Sequence, residues 1–379
     1  MTETSPDRSW PISRRSLLAG MAAAGLLPAP AGAAGSARYL SSVGDAAGRH
    51  AFAGFDGAGR LAFRQPLPDR GHGVTLHPYR AEALILARRP GTFLRAVDLA
   101  TGAVIHAATS PPGRHFSGHA VYSMDGARIY ATENAYEAAT GVIGVYDADN
   151  GCARLGEFAC HGIDPHELAL LPDGRTLAVA IGGILTHPDS GREPLNLATM
   201  APALVHLDAE DGRLLFRTAL PPALHQLSIR HLDVAADGTI GLCMQNAGPE
   251  QAPVPVAGVQ RGDGPIRLLP LPEQVARRTA NYGGSVKFDA EGRVLAVACP
   301  RGNMALFWDV AEERFLGRAA SFDGCGVAAL PGPGRFVIAS GLGGLSAIDA
   351  LTAEGPAATA LAGADADSFA WDNHLAFAG

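Results

Sequence analysis

The sequence predicts an all-β chain, a seven-bladed β-propeller of four-stranded blades. Three observations carry that prediction. A unit recurs along the chain, each unit holds two hairpin-type turns, and no amphipathic helix of good length follows residue 35, the segment Leu271–Arg278 being the best helical pattern. Many short strands at regular spacing indicate a sandwich, barrel or propeller, and units of about 40–50 residues are propeller blades.

The turns come first. Met124-Asp125-Gly126, Pro172-Asp173-Gly174, Ala236-Asp237-Gly238 and Ala290-Glu291-Gly292 each sit between short apolar runs, such as Ala120-Val121-Tyr122 and Arg128-Ile129-Tyr130-Ala131. A second turn of the form D-x-x-x-G recurs as Asp98–Gly102, Asp147–Gly151 and Asp208–Gly212. Glycine at these places supplies the positive φ of tight hairpins.

The unit openings set the period. They are centred on His72, His119, His166, His231, Ser285 and Cys325, at intervals of 47, 47, 65, 54 and 40 residues. The long interval holds an insertion around Leu185–Met200, and a last unit is expected to open near Ser368-Phe369. Residues 34–379, shared among seven units, leave about 49 each. No linker interrupts the period, so they read as one propeller domain. Trp371–Ala378 is expected to close the ring by joining the sheet of Tyr39–Val43.

Residues 1–33 read as a twin-arginine signal peptide. Arg14-Arg15 precede an apolar stretch from Leu17 to Leu27, and Ala31-Gly32-Ala33 has the small residues of a cleavage site. Eleven residues rise only about 16 Å as a helix, half a bilayer core, so no membrane span is expected in the mature chain. A general secretory signal is the alternative reading. Either route makes the periplasm the expected location.

Charge excludes one large class. The net charge is −7, only 18% of residues are charged, and a single lysine, Lys287, stands beside 29 arginines. With no basic run longer than two residues, a nucleic-acid surface is not expected. Hydrophobic residues make up 47%, ample for a large core. Five cysteines without C-x-x-C exclude a dense disulfide framework and covalent haem. No nucleophile elbow, P-loop or H-E-x-x-H is present.

The chemistry lies in the unit openings. Four successive units carry histidine: His72, His119, His166 and His231. In a propeller the loop before the innermost strand reaches the central channel, so equivalent residues form a ring; four successive blades of seven span an arc of about 154°. Neutral imidazole is the commonest metal ligand and suits iron, copper or zinc. These four are the candidate metal ligands. His115, His161, Glu167, His225, Arg230, Ser285 and Cys325 are candidates for supporting or channel positions, Cys325 being a possible ligand or thiol. Imidazoles of ordinary pKa, about 6.5, would lose the metal as pH falls through roughly 6 to 5.

These segments also carry a resemblance. Arg114–His119, Gly162–Leu168, Ser228–Leu232, Asp323–Ala328, Gly182–Asp189 and Leu195–Met200 resemble the exported bacterial propellers of domain-of-unknown-function family 1513, and more broadly the YVTN and lactonase-like propellers. The resemblance implies a seven-bladed periplasmic propeller, with imelysin-type and di-haem peroxidase-like iron-uptake proteins as partners. It implies no catalytic residues. Three functions follow: metal binding in iron or other transition-metal uptake, a metal-dependent lactonase or oxidoreductase at the channel mouth, or an interaction scaffold with a structural histidine ring.

Overall fold

A computed structural model describes residues 37–379, apart from 250, 251, 362 and 364. The signal segment predicted for residues 1–33 lies outside the described residues. Seven antiparallel sheets follow one another from Tyr39 to Phe377. Six have four strands, taken in chain order from the channel outward. Their inner strands are Gly71–Leu76, Arg114–Tyr122, Pro165–Leu170, Leu227–Val234, Ser285–Phe288 and Gly324–Ala329.

The remaining blade closes the ring. Tyr39–Gly44, His50–Phe55 and Leu61–Pro66 form its three outer strands. Its innermost edge comes from the other end of the chain, in two pieces: Ala370–Trp371 pairs with Val43 and Gly44, and Ala376–Phe377 pairs with Tyr39 and Leu40. Between the pieces, residues 372–375 leave the ladder. The last unit therefore opens some residues later than Ser368, which sits in a 3-10 turn, Ala366–Ser368.

The core lies between blades. Seven buried apolar clusters each join residues of two neighbouring sheets, as where Leu84 and Leu86 meet Phe116, Ile129 and Tyr146. The second strand of each blade is the most apolar, and Glu82–Ala87, Thr176–Ile181 and Val294–Cys299 are buried at every position. A strand covered on both faces loses the alternation of a half-exposed one. The outermost strands keep it: Val104–Thr109 and Leu214–Ala219 are exposed or half-buried throughout. Asp-Gly turns join inner to second strands, with Gly126 and Gly174 at φ 76° and 67°.

The insertion predicted around Leu185–Met200 joins the second and third strands of the fourth blade and carries two 3-10 turns, Pro188–Ser190 and Leu197–Thr199. The helix near residue 273 shrinks to one turn, Glu273–Ala276. All five cysteines are buried and free. Among the described residues no helix is long and apolar enough to cross a membrane.

Candidate metal centre

The inner strands are irregular where the site residues fall. Pairing with the second strand slips between Gly71 and Val74, Phe116 and Ala120, Pro165 and Leu168, Ile229 and His231, and Gly324 and Gly326. Each slip is a bulge or other irregularity of the ladder, and a bulge bends a strand and re-aims a side chain. His72, His119, His166 with Glu167, Arg230 with His231, and Cys325 all sit in or beside these slips. Ser285 begins a strand that pairs without a slip.

The four predicted histidines meet. Ring centroids are 4.9 Å apart for His72 and His119, 5.1 Å for His119 and His166, 4.6 Å for His166 and His231, and 6.3 Å for His72 and His231. A fifth joins them. His374, in the bowed segment of the closing strand, lies 4.5 Å from His72 and from His119 and 4.7 Å from His231.

No histidine series points to His374, because Trp371–Ala378 reads in sequence as one continuous strand. A signal existed in the period: one unit of about 49 residues beyond Cys325 reaches residue 374.

Carboxylates hold three of the rings through Nδ1. Glu167 Oε2 lies 2.9 Å from His231 Nδ1, and Oε1 lies 3.3 Å from His119 Nδ1. Asp372 Oδ1 lies 3.1 Å from His72 Nδ1, while its other oxygen pairs with Arg70. A carboxylate accepting from Nδ1 fixes the tautomer and leaves Nε2 as a ligand, the usual support for metal-bound histidine. The Nε2 atoms of His119 and His374 are buried and make no hydrogen bond. An unpaired buried polar atom costs about 1–3 kcal/mol, which a metal bond would offset.

Two donor sets follow from the geometry. Ligand atoms of His119, Glu167, His231 and His374 lie within 4.8 Å of one another, as do those of His72, His119 and His166. His119 belongs to both. Bonds of about 2.0–2.1 Å to a tetrahedral ion need donors about 3.4 Å apart, so either set would have to draw in to hold one.

Burial controls the charge state. It pushes His72, His166 and His374 well below the ordinary imidazole value, and His231 down to about 4. These rings are neutral and ready to ligate at neutral pH. Proton competition therefore begins at lower pH than the 6 to 5 expected of free imidazole. Burial opposes ionisation of Glu167, but its contacts with His119 and His231 outweigh it and keep the carboxylate charged.

The other candidates fall elsewhere. His115 is buried, stacks on Tyr136 at 5.8 Å and donates to the Phe116 carbonyl. His161 is exposed in a positive-φ turn, and His225 caps the 3-10 turn Pro222–Leu224. Arg230 pairs with buried Asp164. Cys325 donates to the carbonyls of Trp371 and Asp372, tying the closing strand to its neighbour, and burial pushes its thiol up.

Residues 65–378 match the model of the family described as Protein of unknown function (DUF1513). The chain belongs to that family. Among curated proteins none matches this DUF1513 member. Solved structures show its fold: periplasmic gluconolactonase PpgL of Pseudomonas aeruginosa is 16% identical, with a TM-score of 0.61 over 90% of this chain and 99% of that one. Hydrazine synthase of Kuenenia stuttgartiensis is 15% identical, with a TM-score of 0.58 over 77% and 86%. The DUF1513 chain shares a propeller with these enzymes.

Close packing makes the site depend on glycine. Gly118 has φ 111°, and a Cβ there would lie 2.5 Å from His72 Cδ2. Gly118→Ala adds backbone strain to overpacking, each costing about 1–3 kcal/mol. A destabilisation of about 3 kcal/mol is expected in denaturant unfolding. An unchanged midpoint would mean that His72 yields, and that the cluster is looser than its packing implies.

Proposed function

We propose that this protein is a periplasmic metal-binding propeller that takes part in iron or other transition-metal uptake. Its ion is held by histidines at the central channel, with His119 common to both donor sets. The observation that carries the reading is the convergence of five imidazoles and Glu167, with two imidazole nitrogens buried and unpartnered. The donor chemistry, neutral imidazole with one carboxylate, suits iron, copper or zinc. The periplasmic assignment rests on Arg14-Arg15 and the apolar segment after them. The assignment to uptake, beside imelysin-type and di-haem peroxidase-like partners, rests on the family resemblance.

A second reading is a metal-dependent enzyme of the lactonase or oxidoreductase kind. It is favoured by a cavity of about 250 Å³ that opens against His72, His166 and His231 and has room for a small substrate.

Elemental analysis of untagged protein, purified without chelator, tests the metal site. About one ion per chain is expected, and removing it with chelator should lower the melting temperature. A protein that neither carries nor binds iron, copper or zinc would leave the scaffold reading in its place.

A further inference from the structure

The histidine cluster divides two cavities. Below it, a cavity of about 390 Å³ is lined by His119, Glu167 and His374 together with Lys287 and Ser285. Lys287 pairs with Asp233 at 2.6 Å, so its charge is answered locally. The 250 Å³ cavity on the other side differs. Five arginines line it: Arg88, Arg89, Arg192, Arg230 and Arg301. No carboxylate is part of its wall among the described residues.

The fold explains why arginines gather there. Antiparallel pairing returns the end of each second strand to the face where the inner strands begin. Arg88 and Arg89 follow Glu82–Ala87, Arg301 follows Val294–Cys299, and Arg192 stands in the insertion after Thr176–Ile181. Arg230 comes from an inner strand beside His231. Residues from five different positions in sequence are thus delivered to one mouth, directly over the histidines.

Their charges are only partly answered. Buried Asp164 serves both Arg89, at 3.2 Å, and Arg230. Arg88, Arg192 and Arg301 make no ion pair among the described residues; Arg301 lies over the Tyr282 ring at 4.1 Å. Arg230 is 8% exposed, yet its Nε has no hydrogen-bond partner. Burial and the nearby Arg70 and Arg192 outweigh the pull of buried Asp372 and push the Arg88 guanidinium down to about 10. Guanidinium groups crowded this way in a chain of net charge −7 are an unbalanced positive focus.

We propose that this mouth binds a small multivalent oxyanion, of the polycarboxylate or phosphate type, seated on Arg88, Arg192 and Arg301 with one end against the histidine cluster. Guanidinium forks match carboxylate and phosphate oxygens bidentately. Asn246, Asn373 and Tyr282 in the same wall offer neutral polar groups beside them. The proposal deepens the metal-site reading, since an anion here could chelate the same ion, but the arginines would attract it whether or not metal is bound.

Calorimetric titration of the full chain with citrate and, separately, inorganic phosphate tests this, on chelator-treated and on zinc-loaded protein. Binding that weakens as sodium chloride rises is expected, because screening acts on this attraction. Arg192→Gln with Arg301→Gln, both exposed positions, should weaken it at least 10-fold, and Arg192→Gln alone several-fold. Arg217→Gln, on an outermost strand, should leave it unchanged. Tighter citrate would assign polycarboxylates, tighter phosphate would assign phosphate groups, and either supports the site. No binding of either anion to either form, or binding unaffected by the paired substitution, overturns it. Zinc uptake in that case would leave the metal reading standing, whereas anion binding without zinc uptake would overturn only the metal reading.

Discussion

His119→Ala is expected to abolish high-affinity metal binding. His119 alone belongs to both donor sets, and its Nε2 is buried without a partner. Loss of a ligand's supporting partner already costs about 10–100-fold in affinity, so loss of the ligand itself should cost at least about 100-fold. Glu167→Gln should cost at least the smaller range, because it removes the carboxylate of one donor set and the charge that fixes both His119 and His231, while leaving the second, all-histidine set in place. His106→Ala, on the outermost strand Val104–Thr109, is the control and should bind like the parent. Competition titrations with a chromophoric chelator at pH 7.5 would measure all three. Equal affinities for His119→Ala and His106→Ala would remove the histidine cluster as the metal site.

The second large effect is on acid stability. Unfolded, His231 takes up a proton near pH 6.5; folded, burial keeps it neutral to about 4. Between those values the unfolded chain binds the extra proton, so stability rises with pH and is lost as pH falls. The gap corresponds to about 3 kcal/mol for His231 alone. His72, His166 and His374 are depressed by burial as well and act in the same direction. Denaturant unfolding of chelator-treated protein at pH 7, 5.5 and 4.5 should show a falling midpoint. His231→Gln should shallow the fall. A midpoint flat from pH 7 to 4.5 would contradict burial of the cluster in solution.

The repeat determined the fold because each blade must restate the same solution. An apolar second strand needs neighbours on both faces, and an Asp-Gly turn needs glycine at positive φ, so the demands recur in sequence at the blade period. The histidines of four blades were legible for the same reason: equivalent positions in a ring repeat in the chain. His374 and Asp372 were not. They belong to a strand that breaks in two as it pairs with the chain's other end, and that pairing is set by closure between segments more than 300 residues apart.

The 47-residue spacing separated His119 from His115, four residues before it, but could not show that His115 turns onto Tyr136. The slip between Phe116 and Ala120 re-aims the side chains that lie within it. The arginine mouth was invisible for a stronger reason. Arg88, Arg192 and Arg301 share no motif and no common spacing, and only the antiparallel return of three second strands to one face brings their charges together. Periodic demands of the backbone are written along the chain, whereas the meeting of charges from separate blades exists only once the ring has closed.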